Sequence, residues 1–311
     1  LEAQHQLKDE DPFYNALLEN NNNYQNTAIG LGLDNSLPFY NIAQDKRVKS
    51  NQLDAKVDYW NILNKKSDLN LTLGTIYSKQ DFDSEIFQYL SEYDENIYNP
   101  TSLVNDGFDS NDVSYLFNDL YLGLHYRLKT GKFTISPGFT AHSYNSENNQ
   151  SGSVDSNFSY KKSFFKILPD FNMIIQLKDS ESLRLNYAMR TQFTDITKIA
   201  RGLVLNNYNS LFIGTQDLQN AISHNISLNY YSFNLFNYTN VYAGINYNKS
   251  IDQIRNLTSF ESVIATSNPF NSSFADENLS VYGRYQRSFG KIRGTLGTSL
   301  NLSKFNQFIR D

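Results

Sequence analysis

The chain has 311 residues, a formal net charge of -5 and no cysteine. That excludes a disulfide scaffold, a thiolate metal site and a basic surface that tracks phosphates. Mean hydropathy is -0.52, and no run approaches the ~18 uninterrupted apolar residues of a membrane helix. Yet hydrophobic residues make up 40% of the chain, and 22 Tyr and 22 Phe stand against a single Trp. With Asn abundant as well, the composition suits a transmembrane β-barrel with interfacial rings, a polar lumen and polar loops. A soluble β-sandwich is the alternative.

Residues 1–47 read as an irregular N-terminal segment holding one or two strands. Asp9-Glu10-Asp11-Pro12 is a turn, Asn20 to Asn23 is low in complexity, and Ala28-Ile29-Gly30-Leu31-Gly32-Leu33 reads as a strand. Hairpins of a transmembrane barrel occupy residues 48–311. In the first, Leu53, Ala55, Val57 and Tyr59 alternate with Asp54, Lys56 and Asp58; Leu69, Leu71 and Leu73 return after the turn Asn64 to Asp68. Side chains on a strand change face at every residue, so one face is apolar and the other polar. A polar excursion from Gln80 to Asn111 follows. The second hairpin runs through Leu116, Leu120, Leu122, Leu124 and Tyr126, turns at Thr130-Gly131, and returns through Phe133, Ile135, Pro137 and Phe139. Pro137 has no N–H to give a central ladder, so pairing should weaken there.

After a loop from Tyr144 to Tyr160 comes the clearest hairpin. Phe171, Met173, Ile175 and Leu177 alternate with Asn172, Gln176 and Lys178; beyond the turn Lys178 to Glu181, Leu183, Leu185, Tyr187 and Met189 alternate with Arg184, Asn186 and Arg190. A loop from Thr194 to Asn220 leads to the fourth hairpin, with Ile222, Ile226, Leu228 and Tyr230 before its turn and Val241, Ala243, Ile245 and Tyr247 after it. The fifth begins beyond a loop from Ser250 to Glu277. It climbs through Leu279, Val281 and Tyr285 and returns from Phe289-Gly290-Lys291 through Ile292, Leu296, Leu300 and Leu302. Short turns fall at one end and long loops at the other, as periplasmic turns and extracellular loops do. The fold expected is therefore all-β, an antiparallel up-and-down transmembrane barrel. Ten strands without a clear closing signal favour one part of a larger barrel, since an open edge in lipid is costly.

Three segments carry a family resemblance: Ile167-Leu168-Pro169 entering a strand, Leu183-Arg184-Leu185-Asn186-Tyr187 after its turn, and His224-Asn225-Ile226-Ser227-Leu228-Asn229-Tyr230 after the long loop. Over residues 160–250 the chain resembles the barrel portion of TonB-dependent-receptor-like outer-membrane proteins. The loop departs from the family pattern: Gly214-Thr215-Gln216-Asp217-Leu218-Gln219-Asn220-Ala221 lacks its Pro and Glu. The resemblance implies a place in the bacterial outer membrane and a role in uptake or envelope assembly. It also implies lipid as a partner, with a periplasmic energy-transducing protein or envelope subunits as further candidates. It supplies no functional residues, and no plug is recognisable.

Chemistry-bearing patterns are sparse. His5, His125, His142 and His224 lie apart, with His125 and His142 on polar faces and His224 in the apolar register. No nucleophile elbow or phosphate loop occurs, and neither catalytic residues nor a cofactor is expected. Arg184, Arg190 and Arg284 are the candidate lumen-facing cations. Asp81, Asp83 and Glu85, with Glu92, Asp94 and Glu95 and, at the far end, Asp106, Asp109 and Asp112, make the Gln80–Asn111 excursion acidic. A solvated loop is the ordinary reading; Ca²⁺ at Asp81, Asp83 and Glu85 is the sharper one. The alternatives to an uptake barrel are a non-transporting accessory barrel and a barrel hydrolase active at its rim.

Overall fold

Ten long strands carry the molecule, and they are the arms of the five hairpins that the alternation marks. The computed structural model describes residues 1–22, 24–91, 96–100, 110–151, 158–261, 264–306 and 308–310. The N-terminal part holds β1 (Glu2–Glu10), β2 (Phe13–Glu19) and helix α1 (Gln25–Gly30). The hairpin arms are β3 (Phe39–Asn64) with β4 (Ser67–Tyr89), and, after the short β5 (Ile97–Tyr98), β6 (Asn111–Thr130) with β7 (Phe133–Ser151). Next come β8 (Phe158–Lys178) with β9 (Glu181–Gln192), then helix α2 (Ile196–Ile199) and the short strands β10 (Leu203–Asn207) and β11 (Ser210–Ile213). β12 (Ala221–Asn234) pairs with β13 (Thr239–Ile251); β14 (Ile254–Glu261) and β15 (Ile264–Asn271) intervene before β16 (Asp276–Phe289), β17 (Ile292–Lys304) and β18 (Phe308–Arg310).

The wall is an antiparallel sheet in the order β1-β3-β4-β6-β7-β8-β9-β12-β13-β16-β17, with β2 beside β3 and β5 beside β4. Its two end strands, β1 and β17, do not pair, so the described sheet is an open wall. The five turns that join the hairpin arms all lie at one end. At Pro137 the β6–β7 ladder lapses between His125↔Gly138 and Leu128↔Ile135, the loss expected of a residue that cannot donate.

Register aligns the alternation across the wall. One row runs Ile135–Met173–Leu185–Leu228–Ile245–Val281–Leu300. The row on the opposite face runs Ser136–Asn172–Asn186–Ser227–Asn246–Ser280–Asn301. The apolar face is exposed: Val57, Leu73, Leu120, Leu122, Ile167, Ile245, Leu296 and Leu300 are among its solvent-facing side chains. In water such a surface would be an aggregation liability; against lipid tails it is the required one. Exposed rings cluster at the short-turn end, where Tyr59, Phe133, Phe236, Tyr238 and Phe289 sit at headgroup depth.

The strands are longer than a membrane needs. About 9–11 residues cross the hydrocarbon, whereas β3 has 26 residues and β4 has 23. Beyond the row Tyr77–Asn118–Asn145–Ser163 the polarity of the faces exchanges. Asp81, Asp83 and Glu85 continue the outward register of Leu69, Leu71 and Leu73, while Phe82 and Ile86 continue the inward register of Asn70 and Thr72. In the same way Val113 and Phe117 turn inward on β6 and are buried. Below the row the wall is apolar outside and polar inside; above it the order is that of a soluble protein.

This exchange explains where the strands outrun the alternation in the sequence. Gln80–Tyr89, expected as loop, is paired strand against β3, and Tyr144–Ser151 is paired against β6. Ala28–Leu33 is not a strand: α1 covers its start, and Tyr24, Ala28 and Leu31 are buried together at helical spacing.

Candidate functional site at the roofed lumen

The inward face of the membrane zone is a polar lining built by strict alternation. Asn186 donates to Ser227 Oγ at 3.1 Å and Ser280 donates to Asn301 Oδ1 at 2.9 Å; Asn172 bonds to Asn186 in the same row. An ion pair and two histidine–carboxylate contacts occupy the β4–β8 part: Arg127 Nε donates to Asp68 at 2.7 Å, His125 Nε2 lies 2.9 Å from Asp170, and His142 Nδ1 lies 2.8 Å from Asp119. Glycines on this face admit rings from the next strand. A Cβ on Gly74 would stand 2.3 Å from the Tyr121 ring, and one on Gly244 2.4 Å from the Tyr282 ring.

Arg184 and Arg190 lie on the Asn186 face of β9, opposite Asn229 and Ser223. Arg284 lies on the Tyr282 face of β16, beside a depression lined by Tyr231, Asn240, Tyr242 and Gln286. The three arginines are spread along the wall rather than gathered at one point. His224 stands on the lipid-side register, where its Nδ1 is 3.0 Å from the Tyr187 hydroxyl.

Asp81, Asp83 and Glu85 are not in a loop but on the outward face of β4, opposite Lys49, Arg47 and Asp45. Lys79 pairs with Asp81 at 3.5 Å. Asp83 is opposite Asp112 on β6, and burial, then Asp112, then Asp81 raise its pKa above the ordinary carboxylate value. Among the described residues no three His, Cys, Asp or Glu side chains gather as a metal would require. Glu92, Asp94, Glu95, Asp106 and Asp109 lie outside the described residues.

The feature that the alternation does not announce is a roof. Residues expected as two extracellular loops fold, together with β18, into a second sheet, β10-β11-β15-β14-β18, in which β11–β15 and β14–β18 are parallel. Leu203, Leu205, Leu211 and Ile264 of this sheet pack with Tyr40, Ile42 and Ile86 of the wall and with Tyr24, Ala28 and Leu31 around α1. A second cluster joins Ile196, Ile199, Ala200, Val204 and Leu218 to Phe82 and Val113. Since alternate residues of β10 enter different clusters, the strand is buried on both sides.

Wall amides fix the backbone of this roof. Gln44 accepts from Leu205 N at 2.9 Å and donates to Leu203 O at 3.2 Å. Gln80 accepts from Ile196 N at 3.2 Å, Asn111 from Gly202 N at 2.7 Å, and Gln150 from Arg201 N at 3.1 Å. All four project from the inward face above the polarity exchange. A primary amide carries its donor and acceptor on separate atoms, so Gln44 can serve a carbonyl and an N–H of the roof backbone at once.

An exposed apolar belt, a polar inner face, short turns at one end and folded loops at the other define a wall of a transmembrane β-barrel. A sequence model of the outer membrane protein beta-barrel family matches residues 11–306. The chain belongs to that family, which places it in the bacterial outer membrane. No curated protein matches in sequence. Solved structures agree in fold. The copper transporter OprC is 9% identical with a TM-score of 0.63 over 97% of this chain and 44% of its own. The hemophore receptor HasR of Serratia marcescens, bound to its hemophore HasA and heme, is 12% identical with a TM-score of 0.56 over 85% of this chain and 44% of its own. The siderophore receptor PiuA from Acinetobacter baumannii is 12% identical with a TM-score of 0.51 over 99% of this chain and 45% of its own. The chain thus spans less than half the length of these proteins, which are receptors and a transporter rather than enzymes. Its wall is similar to the barrels of TonB-dependent receptors.

Proposed function

We propose that the chain forms wall and roof of an outer-membrane uptake barrel that works as part of a larger closed barrel. The observation that carries this reading is the union of a continuous polar lining below with an ordered roof above. Transport needs a hydrated path that is not permanently open, and a roof held by amides and two apolar clusters can close one. Similarity to a copper transporter, a hemophore receptor and a siderophore receptor supports solute capture, and an energy-transducing periplasmic partner would supply the work of release. Lipid covers the belt.

A lock tests it. The chain has no cysteine, and Lys162 of the wall meets Asp217 of the roof at 3.3 Å, so an engineered K162C/D217C pair oxidised with a short dithiol can be bridged across that contact by two disulfides. A deletion strain is assayed for uptake of heme, copper and ferric chelates. Wild type should restore whichever uptake is lost, and the oxidised double variant should restore it only after reduction.

A non-transporting accessory barrel is favoured by one observation, the rigidity implied by so many buried roof contacts. On that reading the oxidised lock behaves as wild type, and deletion alters envelope composition without altering uptake.

A further inference from the structure

Between the roof and the inward faces of β6, β7 and β8 lies a cavity of about 120 Å³. Tyr115, Phe117, Tyr160 and Phe164 give it ring-lined walls, with Ile199 and Leu218 of the roof opposite them. Burial pushes the Tyr115 hydroxyl up to about 12, so it stays a neutral donor.

Two polar features of this cavity serve no structural purpose within the chain. Asn148 is only 3% exposed, and both its Oδ1 and its Nδ2 lack a hydrogen-bond partner; Gln216 Nε2, from the roof, is also unpartnered. Burying an amide without a partner is costly, and Asn148→Leu would avoid that cost. The second feature is charge. Lys162 is answered by the roof's own carboxylate, since Asp217 accepts from its Nζ at 3.3 Å and from the Tyr160 hydroxyl at 2.9 Å. Lys166, which also lines the cavity, has no ion pair among the described residues.

We propose that this cavity binds a small carboxylate bearing an amide beside an apolar group, the chemistry of an N-acylated amino acid. The carboxylate pairs with Lys166. Asn148 accepts the ligand N–H at Oδ1 and donates Nδ2–H to the carboxylate beside Lys166, while Gln216 Nε2–H donates to the acyl carbonyl, since the N–H and C=O of a trans amide point in opposite directions. The rings and the two roof aliphatics enclose the apolar side chain, as an apolar pocket with a few placed polar groups does. A sugar would use the amides but would set its outer hydroxyls against Ile199 and Leu218. The inference goes beyond uptake, because binding is measured on the isolated protein whatever follows it.

The test titrates the detergent-solubilised protein with N-acetylphenylalanine by calorimetry. Saturable binding is expected, weakened about tenfold or more by converting the carboxylate to a carboxamide or by removing the acetylamino group, as loss of one charged or paired hydrogen bond implies. Lys166→Gln should reproduce the first loss and Asn148→Leu the second. Asn148→Leu should also melt at or above the wild-type temperature, which separates lost recognition from lost folding. Asp217→Asn should tighten binding by freeing Lys162. Absence of saturable binding, equal binding of the carboxamide, or wild-type affinity in Asn148→Leu would each overturn the proposal.

Discussion

At the scale of single residues, the inward face is set by what each position must leave room for. Gly244 and Gly74 are required by the tyrosines laid over them, not by backbone conformation. Replacing Gly244 by Val drives a methyl group into the Tyr282 ring and should cost about 1–3 kcal/mol, measured as a lower melting temperature of the folded barrel in detergent. Asp83 gives a residue-scale pH effect. Its pKa is raised in the folded wall by burial and by Asp112 and Asp81, so the folded state holds the proton more tightly than the unfolded chain. Stability from this group is present at low pH and falls as pH rises from the ordinary carboxylate value, 3.8, through the raised one. Asp83→Asn should flatten that slope in denaturant titrations from pH 3 upward; an unchanged slope would contradict the role given to this carboxylate. Neither effect is legible from the sequence. Glycines in strands do not announce which ring covers them, and Asp83 meets Asp112 only once strand register is known.

Among the elements, alternation located the hairpins because lipid on one side and polar lumen on the other impose opposite demands on successive residues. It lost the strands where those demands reverse: Phe82 and Ile86 break the phase set by Leu69 to Tyr77, so Gln80–Tyr89 reads as loop though its backbone pairing is unbroken. The roof was hidden for another reason. Leu203-Val204-Leu205 and Leu211-Phe212-Ile213 are short apolar runs around an Asn-rich turn, a pattern that two-sided burial produces and that carries no period. The Asn-rich turn from Asn206 to Asn209 is the one signal that could have marked a hairpin within the Thr194–Asn220 stretch, which reads as loop. Leu211 is fully buried, and Leu211→Ala should weaken roof docking by about 2–5 kcal/mol. Gln44→Leu strands Leu205 N and Leu203 O without partners, costing about 1–3 kcal/mol for each group left unsatisfied. Both variants should expose residues 200–215 to limited proteolysis while the membrane strands stay protected. Cleavage at wild-type rates would mean that the roof is held by other contacts.

For the whole molecule, the decisive asymmetry is between the two faces of one strand. Ile245 sits at the middle of β13 on the belt, and Ile245→Arg should cost about 2–4 kcal/mol of folding into bilayers. Its neighbour Asn246 lies in the polar row, and Asn246→Arg should change folding by no more than about 0.5 kcal/mol. Comparing folding yields of the two variants in lipid vesicles checks the orientation directly, and equal losses would contradict it. The barrel class, the hairpins and the end bearing long loops were all readable from composition and period. The polarity exchange was written in the same letters, but its meaning required knowing that the strands continue.

That exchange makes the wall a depth gauge. A strand sliding outward by two residues would lift a row of leucines into water and, at the other end, pull the headgroup-level rings into hydrocarbon; sliding inward would draw Asp81 and Lys161 into hydrocarbon. The position of the protein along the membrane normal is therefore encoded in the chain itself, at the row where its inside and outside trade places.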